Sequence, residues 1–100
     1  MIVYEIRVCV AAEIAEAYRE WLGEHVREIL TLPGFQRAEL LAEDSEAGLV
    51  WVVRYHLASR AALADYLRDH AQRLRGEGLA RFGERFSATR RVLEMRQEFV

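Results

Sequence analysis

From Ile2 to Val10 the residues alternate, with Ile2, Tyr4, Ile6, Val8 and Val10 on one side and Val3, Glu5, Arg7 and Cys9 on the other. A period of two is the pattern of a β-strand with one face buried. Between Ala12 and Leu30 the period lengthens. Ile14, Tyr18, Trp21, Leu22, His25, Val26, Ile29 and Leu30 recur at helical spacing, and Glu13, Glu16, Glu20, Glu24 and Glu28 mark the opposite stripe. This predicts an amphipathic helix, closed at Thr31-Leu32-Pro33-Gly34 because proline cannot extend the hydrogen-bond ladder and glycine tolerates the turn that follows. Phe35 to Ala42 and Leu49 to Leu57 read as two strands of a β-hairpin, joined by the polar turn from Glu43 to Gly48. Ser59 supplies an N-cap for a second helix, whose inward stripe is Leu63, Tyr66, Leu67, His70, Ala71 and Leu74 and which Gly76 and Gly78 end. A helical turn around Leu79 to Gly83 and a last strand from Phe86 to Met95 complete the order.

That order is βαββαβ, which predicts an α+β, ferredoxin-like fold: a four-stranded antiparallel sheet with the helices on one face and the first and third strands central. Sliding the chain by 45 residues lays Trp21-Leu22-Gly23-Glu24-His25-Val26 over Tyr66-Leu67-Arg68-Asp69-His70-Ala71, in keeping with the pseudo-twofold of such a fold. With 100 residues, 52% of them hydrophobic, the chain can build one core, so residues 1–100 are expected to form a single domain. No apolar run approaches the ~20 residues of a membrane span, and Leu49 to Val53 reaches about a quarter of it. The start, Met1-Ile2-Val3-Tyr4-Glu5, has neither a basic n-region nor a long apolar segment. No membrane partner and a cytoplasmic location are the expectation, and the single Cys9, read as a packed thiol, agrees with a reducing compartment.

The sheet face away from the helices would carry Val3, Glu5, Arg7 and Cys9 from the first strand and Val50, Val52, Arg54 and His56 from the third. Charges on central strands are costly to seal in a dry core, so this face is either wet or covered by a partner that supplies counter-charges. The charge balance makes such pairing feasible. Residues 1–50 hold four Arg against ten Asp and Glu, whereas residues 51–100 hold ten Arg against six, and no Lys or Asn occurs anywhere.

The run Leu32-Pro33-Gly34-Phe35-Gln36-Arg37-Ala38-Glu39-Leu40-Leu41, followed by a hairpin and then Tyr55 to Leu63 (YHLASRAAL), resembles the pattern of the dimeric α+β barrel superfamily. That group includes the antibiotic-biosynthesis monooxygenases and the haem-degrading monooxygenases. Ile2-Val3-Tyr4-Glu5, Trp21-Leu22 with His25, and Arg75 to Phe86 (RGEGLARFGERF) more closely resemble a bacterial family of short domains of unknown function within it. The resemblance spans essentially the whole chain and implies a homodimer in which two sheets stack face to face. It brings no established activity from the closer family. Haem degradation in the superfamily is associated with an Asn, a Trp and a His in the pocket; Trp51 and His70 could stand for two of these, but the chain has no Asn.

His25 is the first candidate for chemistry. It sits on the apolar stripe one turn after Trp21, where it is either a core histidine with one hydrogen bond or an acid/base or ligand group in a pocket. Trp21, Tyr4 and Tyr66 would line the same pocket, and His70 is the pseudo-symmetric mate of His25. On the other face, Arg54 and His56 project together and could meet Glu5 and Arg7. Cross-strand charge pairing at a dimer interface is one role for this group, and an anion site built from Arg7, Arg37 and Arg54 is the other.

Other chemistries lack their signatures. Three scattered His and one Cys show no metal-ligand spacing, so no metal and no cofactor are expected. Ser45, Ser59 and Ser87 lack a nucleophile elbow. RNA-recognition domains share the βαββαβ order, but Leu49 to Tyr55 lacks their glycine and aromatic pattern, and Glu77, Glu84 and Glu94 dilute the arginines between Arg73 and Arg96. A nucleic-acid partner is not expected. The leading expectation is a homodimer that binds a small molecule between the first helix and the sheet. A cofactor-independent monooxygenase or isomerase and a purely structural or partner-binding dimer are the alternatives.

Overall fold

The computed structural model describes residues 1–45 and 49–100. The elements run β1 (Ile2–Val10), a 3-10 turn (Ala12–Ile14), α1 (Ala15–Ile29), β2 (Phe35–Glu43), β3 (Leu49–Leu57), α2 (Arg60–Asp69), α3 (Ala71–Phe82), a second 3-10 turn (Gly83–Arg85) and β4 (Phe86–Glu94). The expected turn between β2 and β3 falls partly on residues 46–48, outside the described residues. The four strands form one antiparallel sheet in the order β2-β3-β1-β4, which is the ferredoxin-like arrangement. β1 and β3 lie in the middle, and the two ends of the sequence come together because Ile2 pairs with Glu94 and the Met95 amide donates to the Met1 carbonyl at 3.0 Å.

The alternation in β1 and β3 is realised in space. Ile2, Tyr4, Val8 and Val10 with Val53, Tyr55 and Leu57 face the helices and form the core with Tyr18, Leu22 and Ile29 of α1 and Leu63, Tyr66, Leu74 and Phe82 of α2 and α3. Burying each large aliphatic side chain contributes about 1.5–3 kcal/mol, so this face drives folding. The α1 exit is fixed at Gly34, whose φ of 87° lies in the left-handed region and whose backbone presses on Ala62; a Cβ there would stand 2.3 Å from the Ala62 Cβ. Ser59 caps α2 as expected, its hydroxyl accepting from the Ala62 amide at 3.1 Å.

Two expectations are corrected. The second helix does not end at Gly76 and Gly78; it breaks earlier, at His70 (φ −130°, ψ −31°), and resumes as α3 through both glycines to Phe82. Two interior glycines cost about 2 kcal/mol of helix propensity, which the burial of Leu74 and Phe82 outweighs. The break also redirects the inward stripe. Leu67, expected inside, is 42% exposed, while Ala71 and Leu74 are sealed.

Candidate functional site

Between the sheet and helices α1 and α3 the core is incomplete, leaving a cavity of about 300 Å³. A stack of rings forms its α1 wall. Trp21 lies almost parallel to His25, with centroids 4.5 Å apart and planes 23° apart, and Tyr18 packs against Trp21 at 5.5 Å and against Phe86 at 5.1 Å. Helical spacing produces this directly, since residues 18, 21, 22 and 25 share one face of α1. Gly78 of α3 lets the helix approach the ring: a Cβ at that position would stand 2.9 Å from Trp21 Cη2. The sheet supplies Tyr4, Val53 and Tyr55, and Tyr66 of α2 meets Tyr4 edge to face at 6.1 Å.

The polar groups around the cavity are few and placed. Arg75 of α3 donates through Nη2 to the Tyr4 hydroxyl at 2.8 Å, while its buried Nε has no hydrogen-bond partner among the described residues. Arg90 of β4 also lines the space. His25 Nδ1 is buried and has no partner among the described residues. Burial pushes the His25 imidazolium below its ordinary pKa; nearby Glu28 opposes this and Arg90 reinforces it, so the ring is neutral at pH 7. Burial likewise raises the Tyr66 and Tyr55 hydroxyls and pushes Tyr18 up to about 12, so all three stay un-ionised.

Four of the residues singled out from the sequence, His25, Trp21, Tyr4 and Tyr66, thus meet around one cavity. His70 does not join them. It sits at the junction of α2 and α3, with Nδ1 3.5 Å from Arg73 Nη2. Trp51 is half-buried outside the cavity lining, with Arg19 5.7 Å over its ring. Sequence reasoning missed Tyr18, Gly78, Arg75 and Arg90 as lining residues. The signal for Arg90 was present: Phe86, Ala88 and Arg90 alternate on β4, and opposite Ile6 in register Arg90 must face the helices.

The opposite sheet face is charged and internally paired. Glu5, 7% exposed, accepts from Arg54 Nε at 2.8 Å and from Arg91 on the other flank, and these two bonds hold its carboxyl below the usual range against the opposing effect of burial. Arg7 grips Glu43 through two hydrogen bonds of 2.8 and 2.6 Å, Arg37 reaches Glu39 at 3.1 Å, and His56 Nε2 lies 2.6 Å from Glu39. Arg54 therefore meets Glu5 as the sequence suggested, whereas His56 takes Glu39 and Arg7 takes Glu43. The carboxylates that pair Arg7, Arg37 and Arg54 belong to this same chain. Cys9 is half-buried, 3.5 Å from Arg7 Nη1. Among the described residues no group of three or more His, Cys, Asp or Glu side chains is placed to hold a metal ion, and no helix is long and apolar enough to cross a membrane.

Comparison with known proteins fixes the lineage of this architecture. A family model described as a domain of unknown function, DUF4286, matches residues 1–96. No curated protein sequence matches. Among solved structures, the chain is similar to a point mutant of SnoaB, a cofactor-independent oxygenase from Streptomyces nogalater (TM-score 0.75, 18% identity, 97% of this chain and 94% of that one). It is also similar to an antibiotic biosynthesis monooxygenase (TM-score 0.73, 18% identity, 97% and 100%). A third is a point mutant of MhuD with two manganese protoporphyrin IX bound per active site (TM-score 0.73, 16% identity, 100% and 99%). At these identities the likeness establishes a shared fold.

Proposed function

The chain belongs to the DUF4286 family of domains of unknown function, and we propose that residues 1–100 act as one domain, a cytoplasmic homodimer that binds a small ring-containing molecule between α1, α3 and the sheet. One observation carries this reading: the cavity of about 300 Å³ whose walls are rings and aliphatic side chains, with His25, Arg75 and Arg90 as convergent polar groups. Small-molecule sites run from about 300 to 1,000 Å³ with this mix of apolar lining and few oriented polar groups. Of the four buried side-chain nitrogens without a hydrogen-bond partner among the described residues, two, His25 Nδ1 and Arg75 Nε, belong to residues that line this cavity. Dimerisation is supported by the unlidded sheet face, where Leu41 and Leu93 are each 38% exposed beside the ion-paired rows. The neighbours' fold is consistent with both parts. The single half-buried thiol supports a reducing compartment.

Native mass spectrometry of freshly purified protein, repeated under denaturing conditions, tests the proposal. A dimer carrying a small mass that is lost on denaturation is the expected result. A monomer at micromolar concentration would refute the dimer, and failure of every aromatic probe to bind would refute the site.

His25 favours a second reading, a cofactor-independent oxygenase or isomerase, the former being the activity of SnoaB. A neutral imidazole inside an apolar cavity can accept a proton from an acidic C–H or O–H of a bound ring. Oxygen consumption or turnover across an aromatic substrate panel, lost in His25→Phe, would establish it; a clean negative leaves the binding role.

A further inference from the structure

We infer that the cavity takes an anion: a one- or two-ring apolar molecule bearing a carboxylate or an acidic hydroxyl, received by Arg75 and Arg90. The inference rests on the proposal that this cavity is a ligand site, and it adds the charge class of the ligand.

Among the described residues eight of the fourteen arginines form ion pairs, and of the six that do not, Arg75 and Arg90 border the cavity. On the far face of the sheet, Arg7, Arg54 and Arg91 each engage a carboxylate of the same chain. At the cavity the arrangement is different. Arg75 and Arg90 approach from α3 and β4, and among the described residues no Asp or Glu lines the space and neither arginine forms an ion pair. Arg75 uses one nitrogen on the Tyr4 hydroxyl and leaves a buried Nε–H with no acceptor among the described residues. A buried donor on a charged group needs an acceptor, and a guanidinium presents a planar fork that matches the two oxygens of a carboxylate.

No other group in the cavity offsets that positive charge. His25 is neutral, and Tyr18, Tyr55 and Tyr66 are held un-ionised by burial. The chain as a whole carries a net charge of −2, so two arginines without a carboxylate at one cavity are a local feature and not a reflection of overall charge. A neutral ring without an acceptor would fill the apolar volume but leave Arg75 Nε unsatisfied, and a neutral acceptor would satisfy Nε but leave both guanidinium charges without a counter-charge. A cation would be repelled. An anionic ring satisfies the walls and the arginines together.

Isothermal titration of the full chain with 2-naphthoate and 2-naphthamide, which share rings and a planar substituent and differ in charge, tests this. Wild-type protein at low salt should bind 2-naphthoate at least about tenfold more tightly than 2-naphthamide, an advantage of the size charge-assisted hydrogen bonds supply. Added salt should weaken the naphthoate alone. Arg90→Gln, an exposed position on β4 whose fold is checked by circular dichroism, should cut the preference for 2-naphthoate over 2-naphthamide to about threefold or less. Equal affinity for the two probes would overturn the anion class while the cavity stands as a ligand site. Binding of neither would overturn both. A full preference retained in Arg90→Gln and in Arg75→Gln alike would overturn the assignment to these arginines.

Discussion

Helix α3 contains two glycines two residues apart, and replacing each by alanine should have opposite consequences. At Gly76 an added methyl group meets nothing within 4 Å. Alanine is about 1 kcal/mol better than glycine inside a helix, so Gly76→Ala should stabilise the protein by about that amount, roughly 4–8 °C in Tm for a domain of this size. At Gly78 the same gain is opposed by the ring of Trp21, which lies 2.9 Å from the new carbon. That ring has little room to retreat, since His25 stacks on it at 4.5 Å, Tyr18 lies at 5.5 Å and Phe82 meets it edge-on at 5.8 Å. Overpacking of this kind costs about 1–3 kcal/mol, which leaves Gly78→Ala between neutral and about 2 kcal/mol destabilised. The two variants should therefore differ by about 1–3 kcal/mol in urea unfolding followed by far-ultraviolet circular dichroism, at one fixed protomer concentration so that any association contributes equally. Trp21→Leu in the Gly78→Ala background should recover most of the penalty. Equal stabilisation by both alanines would mean that Trp21 yields freely and that the cavity has no fixed wall.

Other outcomes follow from the same geometry. Gly34→Ala combines a left-handed backbone with a 2.3 Å approach to Ala62, and should lose about 2–4 kcal/mol, read as a fall in Tm of more than about 10 °C. Glu5 has a folded pKa below its ordinary 4.5, so its contribution is present above that value and disappears as pH falls through the lowered one. Glu5→Gln should be less stable than wild type at pH 7, with the gap closing in acid unfolding curves below about pH 4.5. His25 is also depressed, from 6.5, so the unfolded chain binds its proton first and stability declines as pH drops below 6.5; His25→Phe should flatten that part of the stability profile, and an unchanged slope would contradict its burial. Leu41→Arg with Leu93→Arg should convert a sheet-to-sheet dimer to monomer in sedimentation velocity, and an unaltered dimer would move the interface elsewhere.

Most of the fold could be read from periodicity because each strand has one face that water tolerates. The period of two in β1 and β3 assigned Tyr4 and Tyr55 to the helix side and Glu5 and Arg54 to the other, as observed. The helical stripe of α1 likewise brought Trp21 and His25 to the cavity. What local pattern could not show is what tertiary packing decides. The break at His70 leaves Leu67 outside, and helix α3 runs through Gly76 and Gly78 because Leu74 and Phe82 are buried, with Trp21, far earlier in the chain, packed where a side chain at Gly78 would stand. The charge asymmetry between the halves was visible, but its meaning required register: Glu5 meets Arg54 and Arg91, and Glu28 meets Arg73 at 3.3 Å, acids of the first half bonded to arginines of the second. Arg75 and Arg90 stood unnoticed among the arginines of the second half, because only the three-dimensional arrangement reveals which arginines without a carboxylate also border a cavity.

The pairing of β1 with β4 also constrains how the protein is made. β1 leaves the ribosome well before β4, so one of its two edges has no partner until residues 86–94 follow. Until then a nascent β1-β3 ribbon exposes a hydrogen-bonding edge along Ile2 to Val10, the kind of surface that recruits strands of other chains. Closing a loop of this length also makes the final step slow relative to local helix formation. Synthesis thus leaves a vulnerable interval, and slowing translation ahead of β4 would lengthen it.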